Sequence, residues 1–365
     1  MNDTANLKIE NVTRKFGKTT ALNNVTLNVD DKDFVALLGP SGCGKTTLMR
    51  CIAGLDKPDT GSIYMDGQKI NDLPPQDRDI ALVFQFYAVY PGTNVFGNIA
   101  FPLWARKIPA DEVKRRVTDT AERLGIGHLL EQKMSRINVG EKQRVALARA
   151  LVRKPKMFLL DEPLTNMDAR LRLIVRGELK RIVKDTGLTA IVVSHDQLEA
   201  MTMADKIAVM NAGRILQYDT VDNVYHDPNC LFVADFLGSP GMNLIPATLT
   251  QKNEMLCLDT GAFTLDVSKH RELIREKTTN SELVLGIRPE RIQISDEKDK
   301  DAIVGKIERA ELMGDKQNFI TQIANVRMNV LSPTVLDYKD GDNIHLKLPM
   351  EYIHIFDKTS EMAIL

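Results

Sequence analysis

The sequence contains little cysteine and no excess of charge, and both absences narrow the possible functions. Its four cysteines are scattered along the chain, with no C-x-x-C pair and no histidine cluster beside them. A disulfide framework or a zinc site is therefore not expected, and the thiols should be reduced. The 48 basic and 49 acidic side chains give a net charge of −1, whereas nucleic-acid binders normally carry a basic excess. We expect no nucleic-acid partner.

A signal peptide and a regular membrane-spanning helix are not predicted either. Residues 1–6 carry neither the basic region nor the apolar run of a secretory signal. Residues 80–105 contain no charged side chain and are long enough to cross a bilayer, but Pro91, Gly92, Gly97 and Pro102 interrupt them. We predict a buried strand there, followed by a surface loop and a partly apolar contact segment.

What is present is typical of a globular protein of two or three domains. The chain has 365 residues, of which 43% are hydrophobic and 27% charged. In its first part, continuous apolar runs predict buried strands, and helical patterns separate them. The buried strands are predicted at residues 34–38, 80–84, 157–160 and 190–193, with an antiparallel, half-exposed edge at 7–12 and 21–27. This alternation predicts an α/β fold with a mostly parallel sheet and a ligand site at the carboxyl ends of its strands.

Two segments depart from the alternating pattern. Residues 106–140 are rich in charge and helix formers, with apolar residues at helical spacing, which predicts a helical subdomain inserted between sheet strands. After about residue 236 the chain changes to many short β-like runs, such as residues 263–267, 283–287, 319–323 and 344–348. Short, numerous strands predict small barrels. We therefore predict one domain at residues 1–235 and a second, all-β domain at residues 236–365.

Residues 39–46 fit the phosphate-loop pattern G-x-x-x-x-G-K-[ST] in full, between a buried strand and a predicted helix. The glycines let backbone N–H groups wrap phosphate, and the helix N-terminus adds positive potential. Lys45 would reach the outer phosphates, and the Thr46 hydroxyl would bind Mg²⁺. The predicted nucleotide ligands of this loop are Gly39, Pro40, Ser41, Gly42, Cys43, Gly44, Lys45, Thr46 and Thr47.

Two neighbouring carboxylates follow the buried strand at residues 157–160. Asp161, at the strand end, would hold the Mg²⁺ shell, and Glu162 is placed to accept a proton from attacking water. An acidic turn of this kind is common in isolation, but the phosphate loop favours the functional interpretation. His195 closes another predicted strand on the same edge, and by itself its catalytic and structural interpretations are equally supported.

Together these motifs resemble the ATP-binding subunits of ABC transporters, specifically those of the maltose and glycerol-3-phosphate type sugar importers, over nearly the whole chain. Besides the phosphate loop (Walker A), the matching segments are residues 83–85 (Q-loop), 159–163 (Walker B), 164–168 (D-loop), 194–196 (switch histidine), 196–202, 238–243 and 286–290. The resemblance implies a P-loop NTPase fold, that is, an ABC cassette with a RecA-like core, an antiparallel β edge and a helical subdomain at about residues 88–155. It also implies an OB-like (TOBE, regulatory) barrel domain at the C-terminus.

The resemblance further implies ATP and Mg²⁺ as cofactors, with two ATPase subunits that sandwich two ATP molecules. Phe16 would stack on adenine, although an edge-strand core residue is an equally good interpretation of its position. Gln85 would sense the metal and the attacking water, Glu162 would polarise that water, and His195 would contact the γ-phosphate. Metal ligands would be Thr46, Gln85 and Asp161, and further nucleotide contacts would come from Asn138, Gly140, Glu141 and Asp168.

The implied partners are two membrane-spanning permease subunits, a second ATPase subunit and, indirectly, an extracytoplasmic solute-binding protein. This places the chain at the cytoplasmic face of the cell membrane. The aromatic-rich segment at residues 86–104 looks like the groove that receives a coupling helix of the permease, although it could also be core of the helical subdomain. The transported solute is not predicted, because this subunit does not touch it.

One motif departs from the family. The signature Leu-Ser-Gly-Gly-Gln is replaced here by Ile-Asn-Val-Gly-Glu at residues 137–141. Asn138 and Glu141 can still form the two hydrogen bonds of a capping box, so the helix should form. Val139 replaces the glycine that lets the backbone approach the γ-phosphate in the opposing subunit, and a β-branched side chain crowds that approach. We hypothesise a heterodimer with a paralogue that carries an intact signature; the alternative is a homodimer with slower turnover.

Two other functions are open from the sequence. The altered signature is compatible with a regulatory subunit that binds nucleotide and hydrolyses it weakly. A soluble ABC ATPase of translation or DNA repair is less favoured, because the chain has neither paired cassettes nor a long coiled-coil insertion. A GTPase is disfavoured because the guanine motif N-K-x-D is missing.

Overall fold

The computed structural model describes residues 5–83, 89–165, 168–252, 254–296, 299 and 302–365. The chain divides into two compact units, Met1–Asp222 and Asn223–Leu365. The boundary predicted from the sequence lies at residues 235/236, and residues 223–235 fall in the second unit.

The first unit alternates strands and helices, as the hydrophobic pattern predicts. Its elements are β1 (Ala5–Phe16), β2 (Thr19–Asp30), β3 (Phe34–Leu38), α1 (Lys45–Ala53), β4 (Thr60–Met65), β5 (Gln68–Lys69), β6 (Ile80–Val83), α2 (Val95–Ala105), α3 (Ala110–Arg123), α4 (Val139–Leu151), β7 (Met157–Asp161), α5 (Ala169–Thr186), β8 (Thr189–Ser194), α6 (Gln197–Met203), β9 (Lys206–Asn211) and β10 (Arg214–Thr220). Helix α7 (Val221–His226) spans the boundary between the units.

A six-stranded sheet forms the centre of this unit, in the order β10-β9-β3-β8-β7-β6. The strands from β9 to β6 are parallel, and only β10 pairs antiparallel. All residues of β3 and β8 are buried, which confirms the strands inferred from continuous apolar runs. Because β3, β7 and β8 are parallel neighbours, their carboxyl ends meet at one edge of the sheet.

A second, antiparallel sheet has the order β2-β1-β4-β5. Its strands are longer than the predicted ones, and β1 and β2 pair antiparallel, as predicted. Because β1 also pairs with β4, only β2 of these two strands lies at an edge of the sheet. Buried side chains of both sheets and of α1, for example Ile9, Leu37 and Met49, belong to one hydrophobic cluster. This shared core fixes α1, and with it the phosphate loop, against both sheets.

The helical part of the first unit contains α2, α3 and α4. Val113, Val117 and Ala121 are the buried face of α3, as their spacing predicts, but α3 is shorter than the predicted segment and is followed by Gly125 at a φ of +67°. The contact segment predicted before it contains the regular helix α2, which accommodates Pro102 in its interior. Within the described residues, no helix combines the length and apolarity needed to span a membrane.

The second unit is mainly β-structure. Its remaining elements are α8 (Leu231–Phe236), β11 (Asn243–Lys252), β12 (Met255–Asp259), β13 (Thr264–Asp266), α9 (Arg271–Lys277), β14 (Glu282–Ile287), β15 (Gln293–Ser295), β16 (Ile303–Met313), β17 (Lys316–Ile323), β18 (Val326–Ser332), β19 (Asn343–Lys347) and β20 (His354–Asp357). Two five-stranded antiparallel sheets, β13-β12-β11-β14-β20 and β15-β19-β16-β17-β18, share one hydrophobic core. The prediction of a β-rich, barrel-like C-terminal domain is confirmed, with the short helix α9 among its strands.

Candidate nucleotide-binding and hydrolysis site

The phosphate loop joins β3 to α1, as the sequence predicts. Helix α1 begins at Lys45, directly after the glycine-rich segment, and Gly44 precedes it in a left-handed conformation with a φ of +111°. The amides of the first turn of a helix have no partner within the helix, so the N–H groups of Lys45, Thr46 and Thr47 are available to phosphate oxygens.

Two glycines of the loop are required by close packing. A Cβ atom on Gly44 would lie 2.5 Å from the carbonyl oxygen of Ala21, and one on Gly39 would lie 2.2 Å from the carbonyl oxygen of Met210. Gly42, at a φ of +79°, has open space where a side chain would be. The loop therefore follows a backbone path that requires glycine at these positions, and its N–H groups can bind a phosphate.

Lys45 is held inside this cradle. Its Nζ atom donates to the carbonyl oxygens of Gly39 at 2.7 Å and Pro40 at 2.9 Å, and the residue is only 6% exposed. Cys43 is buried, with its Sγ atom 3.8 Å from the same ammonium group. A buried ammonium that has only neutral partners in direct contact is positioned to receive an anionic ligand.

Asp161 ends β7 next to the start of α1. Its Oδ1 atom lies 3.5 Å from the Thr46 hydroxyl oxygen, so both oxygens are within reach of one cation. Burial, and then the negative charge of Glu162, raise the pKa of Asp161. A divalent cation would relieve this repulsion. Within the described residues no cluster of three or more His, Cys, Asp or Glu side chains could hold a metal by itself, so a cation here needs ligands from phosphate or water.

Glu162 and His195 lie together at the same sheet edge. The Glu162 backbone has a φ of +47°, and its N–H donates to the carbonyl oxygen of Val193 in β8 at 3.0 Å, which turns the side chain towards the strand end that carries His195. Its Oε2 atom accepts from the Thr165 hydroxyl at 3.1 Å and lies 3.3 Å from Nδ1 of His195. A carboxylate with this partner is suited to accept a proton and to orient the imidazole.

The loop after β8 is fixed by a hydrogen-bond network that the motif did not reveal. The Ser194 hydroxyl donates to the buried carboxylate of Glu199 at 2.8 Å and accepts from the Asp196 N–H at 3.0 Å. The Asp196 side chain in turn caps α6 by accepting from the Glu199 N–H at 3.1 Å. Asp-x-x-Glu after a strand is a capping pattern, so the sequence contained this signal. The network holds His195 in a fixed turn while its ring is exposed.

Two predicted contacts lie outside this group. Phe16, at the end of β1, is 46% exposed, which rules out the core interpretation, and the Arg14 guanidinium lies 4.6 Å from its ring centroid. An exposed aromatic face of this kind is available for stacking. Asp168 is exposed and precedes α5, where its carbonyl oxygen accepts from the Arg172 N–H at 2.9 Å. Gln85, Asn166 and Met167 lie outside the described residues.

The altered signature forms a separate group at the start of α4. Asn138 Oδ1 accepts from the Glu141 N–H at 2.9 Å, and Glu141 Oε2 accepts from the Asn138 N–H at 2.8 Å. This is the predicted capping box, and it is confirmed. Gly140 is buried, whereas Val139, the first residue of α4, is 53% exposed. Its isopropyl group therefore extends into solvent at the start of α4.

A groove of about 450 Å³ lies between β6, α2 and α4 in the same unit. Exposed aromatic rings, including Tyr90 and Phe101, form part of its wall, and their ring centroids are 4.6 Å apart. Arg149 lines its floor with the guanidinium 5.0 Å from the Tyr90 ring centroid. The segment at residues 86–104 therefore contributes an open groove as well as core, within the part of it that is described.

The strand, glycine-rich loop and helix that present Lys45, next to the carboxylates that end β7, define the first unit as a P-loop nucleoside triphosphatase. Family models match the chain in three places: ABC transporter at residues 22–165, MalK OB fold domain at residues 238–292 and TOBE domain at residues 285–356. The matches cover both units.

Two curated relatives are similar over almost the whole chain. The trehalose/maltose import ATP-binding protein MalK of Thermococcus litoralis is 42% identical over 376 residues, which covers 99% of this chain and 100% of the relative. The oligosaccharides import ATP-binding protein MsmX of Bacillus subtilis is 39% identical over 365 residues, with the same coverage. A solved dimeric ATP-binding cassette in a post-hydrolysis state, bound to ADP and Pi, is 30% identical, with a TM-score of 0.53 over 59% of this chain and 98% of the other.

The chain therefore belongs to the ATP-binding subunits of ABC transporters, in the branch of the maltose and glycerol-3-phosphate type importer ATPases. The fold expected from the resemblance, an ABC cassette followed by OB-like and TOBE segments, is confirmed. ATP binding and hydrolysis, a membrane permease as partner and association of ATPase subunits apply to this chain as to its family. The alternative of an ABC ATPase of translation or DNA repair is not supported, since these relatives are import proteins by name.

Proposed function

We propose that this chain hydrolyses ATP with Mg²⁺ to drive the uptake of a carbohydrate or polyol through a permease, at the cytoplasmic face of the cell membrane. The observation that carries the proposal is the meeting of Lys45, Asp161 and Glu162 at one sheet edge, in a chain whose relatives are named as sugar import proteins.

Each of these residues has a distinct role in the proposed reaction. Lys45 and the first amides of α1 bind the β- and γ-phosphates. Thr46 and Asp161 would hold Mg²⁺, which neutralises phosphate charge when bound, and Gln85 would complete its ligands. Glu162 takes the proton of the attacking water, and His195, oriented by Glu162, contacts the γ-phosphate. Phe16 stacks on the adenine.

The groove beside α2 and α4 is proposed as the surface that receives a coupling helix of each permease subunit. Its exposed aromatic side chains provide apolar contact area that a helix of a partner subunit can bury. A solute-binding protein outside the cell would act on this chain only through the permease. No residue of the chain needs to touch the solute.

We further propose that the second ATPase subunit is a paralogue with an intact signature. A phosphate approaching the start of α4 would meet the exposed Val139 side chain, where glycine would leave the backbone open. Asn138, Gly140 and Glu141 retain the cap but serve the opposing nucleotide less well. The assembled dimer would then have one strong site, built from this chain's phosphate loop and the paralogue's signature, and one weak site.

Purification of the tagged chain from its native membranes tests these proposals. We expect two integral membrane subunits and a second ATPase that has glycine at the position of Val139. A complex that contains two copies of this chain and no other ATPase would contradict the heterodimer, and recovery without any membrane protein would contradict the importer. In the heterodimer, Val139→Gly should increase ATP turnover, whereas an unchanged rate would refute the steric argument.

A further inference from the structure

The second unit contains a polar cavity far along the sequence from the nucleotide motifs. Its volume is about 280 Å³, and every side chain that lines it is ionisable. The lining comes from the end of α7, the 3-10 turns at Pro289–Arg291 and Met350–Tyr352, and the first residue of β20. A cavity that is lined only by ionisable side chains from separate segments takes polar occupants, water or a ligand, since cavities that stay empty are apolar.

Arg288 is the most buried group of the cavity. The residue is 2% exposed, and the guanidinium lies 3.7 Å from the ring centroid of Tyr225. Its Nε and Nη2 atoms donate to the carbonyl oxygen of Tyr225, and Nη1 donates to that of Leu237 at 2.6 Å. Three of its five N–H groups are thus fixed by neutral carbonyl oxygens, and two remain.

A second guanidinium reinforces the positive potential. Arg291 lies with its guanidinium 4.4 Å from the ring centroid of Tyr352, which holds it against the cavity wall. Neither arginine forms an ion pair with a carboxylate of the described residues. Burial lowers the pKa of Arg288. A buried cation without an anionic partner is costly, and an oxyanion bound between two fixed guanidinium groups would remove that cost.

The remaining lining residues indicate what else the ligand carries. His354 also lines the cavity, and burial together with the nearby charge of Arg288 lowers the pKa of its imidazole, so it presents a neutral ring. Glu351 adds an exposed carboxylate, which can accept hydrogen bonds from hydroxyl groups, and the charges of Asp227 and Glu351 disfavour a bare multivalent anion. Fixed arginines for an oxyanion, next to acceptors for hydroxyls, match a small phosphorylated sugar or polyol.

We infer that this cavity binds a small hydroxylated phosphate ester. Its lining contains no residue of the phosphate loop, and about 280 Å³ is sufficient for a molecule of monosaccharide size but small for larger ligands. The inferred ligand is distinct from the nucleotide, and it does not depend on the identity of the transported solute.

The test is calorimetric titration of the full chain, saturated with ADP and Mg²⁺ so that the phosphate loop is filled. The probes are glucose 6-phosphate, glucose and inorganic phosphate. We expect saturable binding of glucose 6-phosphate at or below about 1 mM, at least about tenfold weaker in Arg291→Gln and unchanged in Arg309→Gln, an exposed arginine of β16 in the same unit. Glucose and inorganic phosphate should bind at least about tenfold more weakly than the ester.

A second readout reports on the cavity itself. Because the charge of Arg288 helps to lower the pKa of His354, a bound anion should raise that pKa, which NMR titration of the imidazole measures in the wild-type chain. Binding that is equal in Arg291→Gln and wild type, no binding up to about 10 mM, or an unmoved His354 would overturn the inference. Inorganic phosphate binding as tightly as the ester would overturn its hydroxyl part. ADP binding in the same samples tests the proposed ATPase independently.

Discussion

Replacing Glu162 by glutamine separates catalysis from binding at this site. The carboxylate Oε2 accepts from Thr165 at 3.1 Å and lies 3.3 Å from Nδ1 of His195. A glutamine amide oxygen can still accept from the Thr165 hydroxyl, and it has the same length and the same tolerance of the positive φ at residue 162. What is lost is the capacity to take a proton from water.

The expected fall in ATP turnover follows from the loss of this general base alone. Removing a general base costs a factor of about 10² to 10⁴, or about 3–5 kcal/mol of barrier. We expect ATP turnover of the Glu162→Gln complex to fall by that factor, while the free energy of unfolding changes by less than about 0.5 kcal/mol. Affinity for ATP should stay the same or increase, since a carboxylate near the phosphates is removed.

The assay is phosphate release by the purified membrane complex, together with equilibrium binding of ATP and thermal unfolding. Glu131→Gln is the matched control, because Glu131 is an exposed carboxylate in the same unit outside the site. Turnover of Glu162→Gln within about threefold of wild type would refute the assignment of the base.

Three further predictions concern single positions in the first unit. Gly44→Ala should abolish ATP binding and lower the free energy of unfolding by about 2–3 kcal/mol, because its Cβ would lie 2.5 Å from the Ala21 carbonyl oxygen at a φ of +111°. The control Gly42→Ala, whose Cβ meets no atom, should lower the free energy of unfolding by only about 1 kcal/mol. Equal losses of the two variants in a denaturation assay would contradict the packing argument. Asn138→Ala removes one half of the capping box and should cost about 1 kcal/mol, seen as a drop of about 2–4 °C in Tm, and an unchanged Tm would count against the cap. Asp161→Asn should abolish hydrolysis yet raise Tm at neutral pH by about 1–3 °C. The pKa of Asp161 is raised in the folded state, so the wild-type chain loses stability as the pH rises through that pKa and the carboxyl group becomes charged, whereas asparagine stays neutral. The gain in Tm should vanish near pH 3, and a lower Tm at neutral pH would contradict the prediction.

The sequence predicted local features of the site correctly. Residues 39–46 and their flanks specified the phosphate loop, because the turn chemistry, the preceding apolar run and the following helix are all encoded within about twenty residues. Asn138 and Glu141 specified the capping box for the same reason, since both partners lie within one helical turn.

Contacts between distant segments could not be predicted in the same way. The interaction of Glu162 with His195 depends on the parallel pairing of β7 and β8, and the sequence of neither strand alone determines their hydrogen-bond register. The interior position of β1 depends on β4, a strand that the pattern did not single out. Pro102 suggested a break, but the rest of α2 tolerates one missing backbone donor. The cavity around Arg288 joins segments more than a hundred residues apart in sequence.

ATP hydrolysis at the phosphate loop that holds Lys45 should drive solute uptake by a permease complex. The most direct measurement is uptake of radiolabelled sugars and polyols by proteoliposomes that contain the purified complex, with ATP on the side of this chain. We expect ATP-dependent uptake of at least one such solute, lost in Lys45→Ala and retained in Lys57→Ala, whose exposed ammonium pairs with Asp72. Uptake that continues in Lys45→Ala, or ATP turnover without accumulation of any solute of these classes, would contradict it.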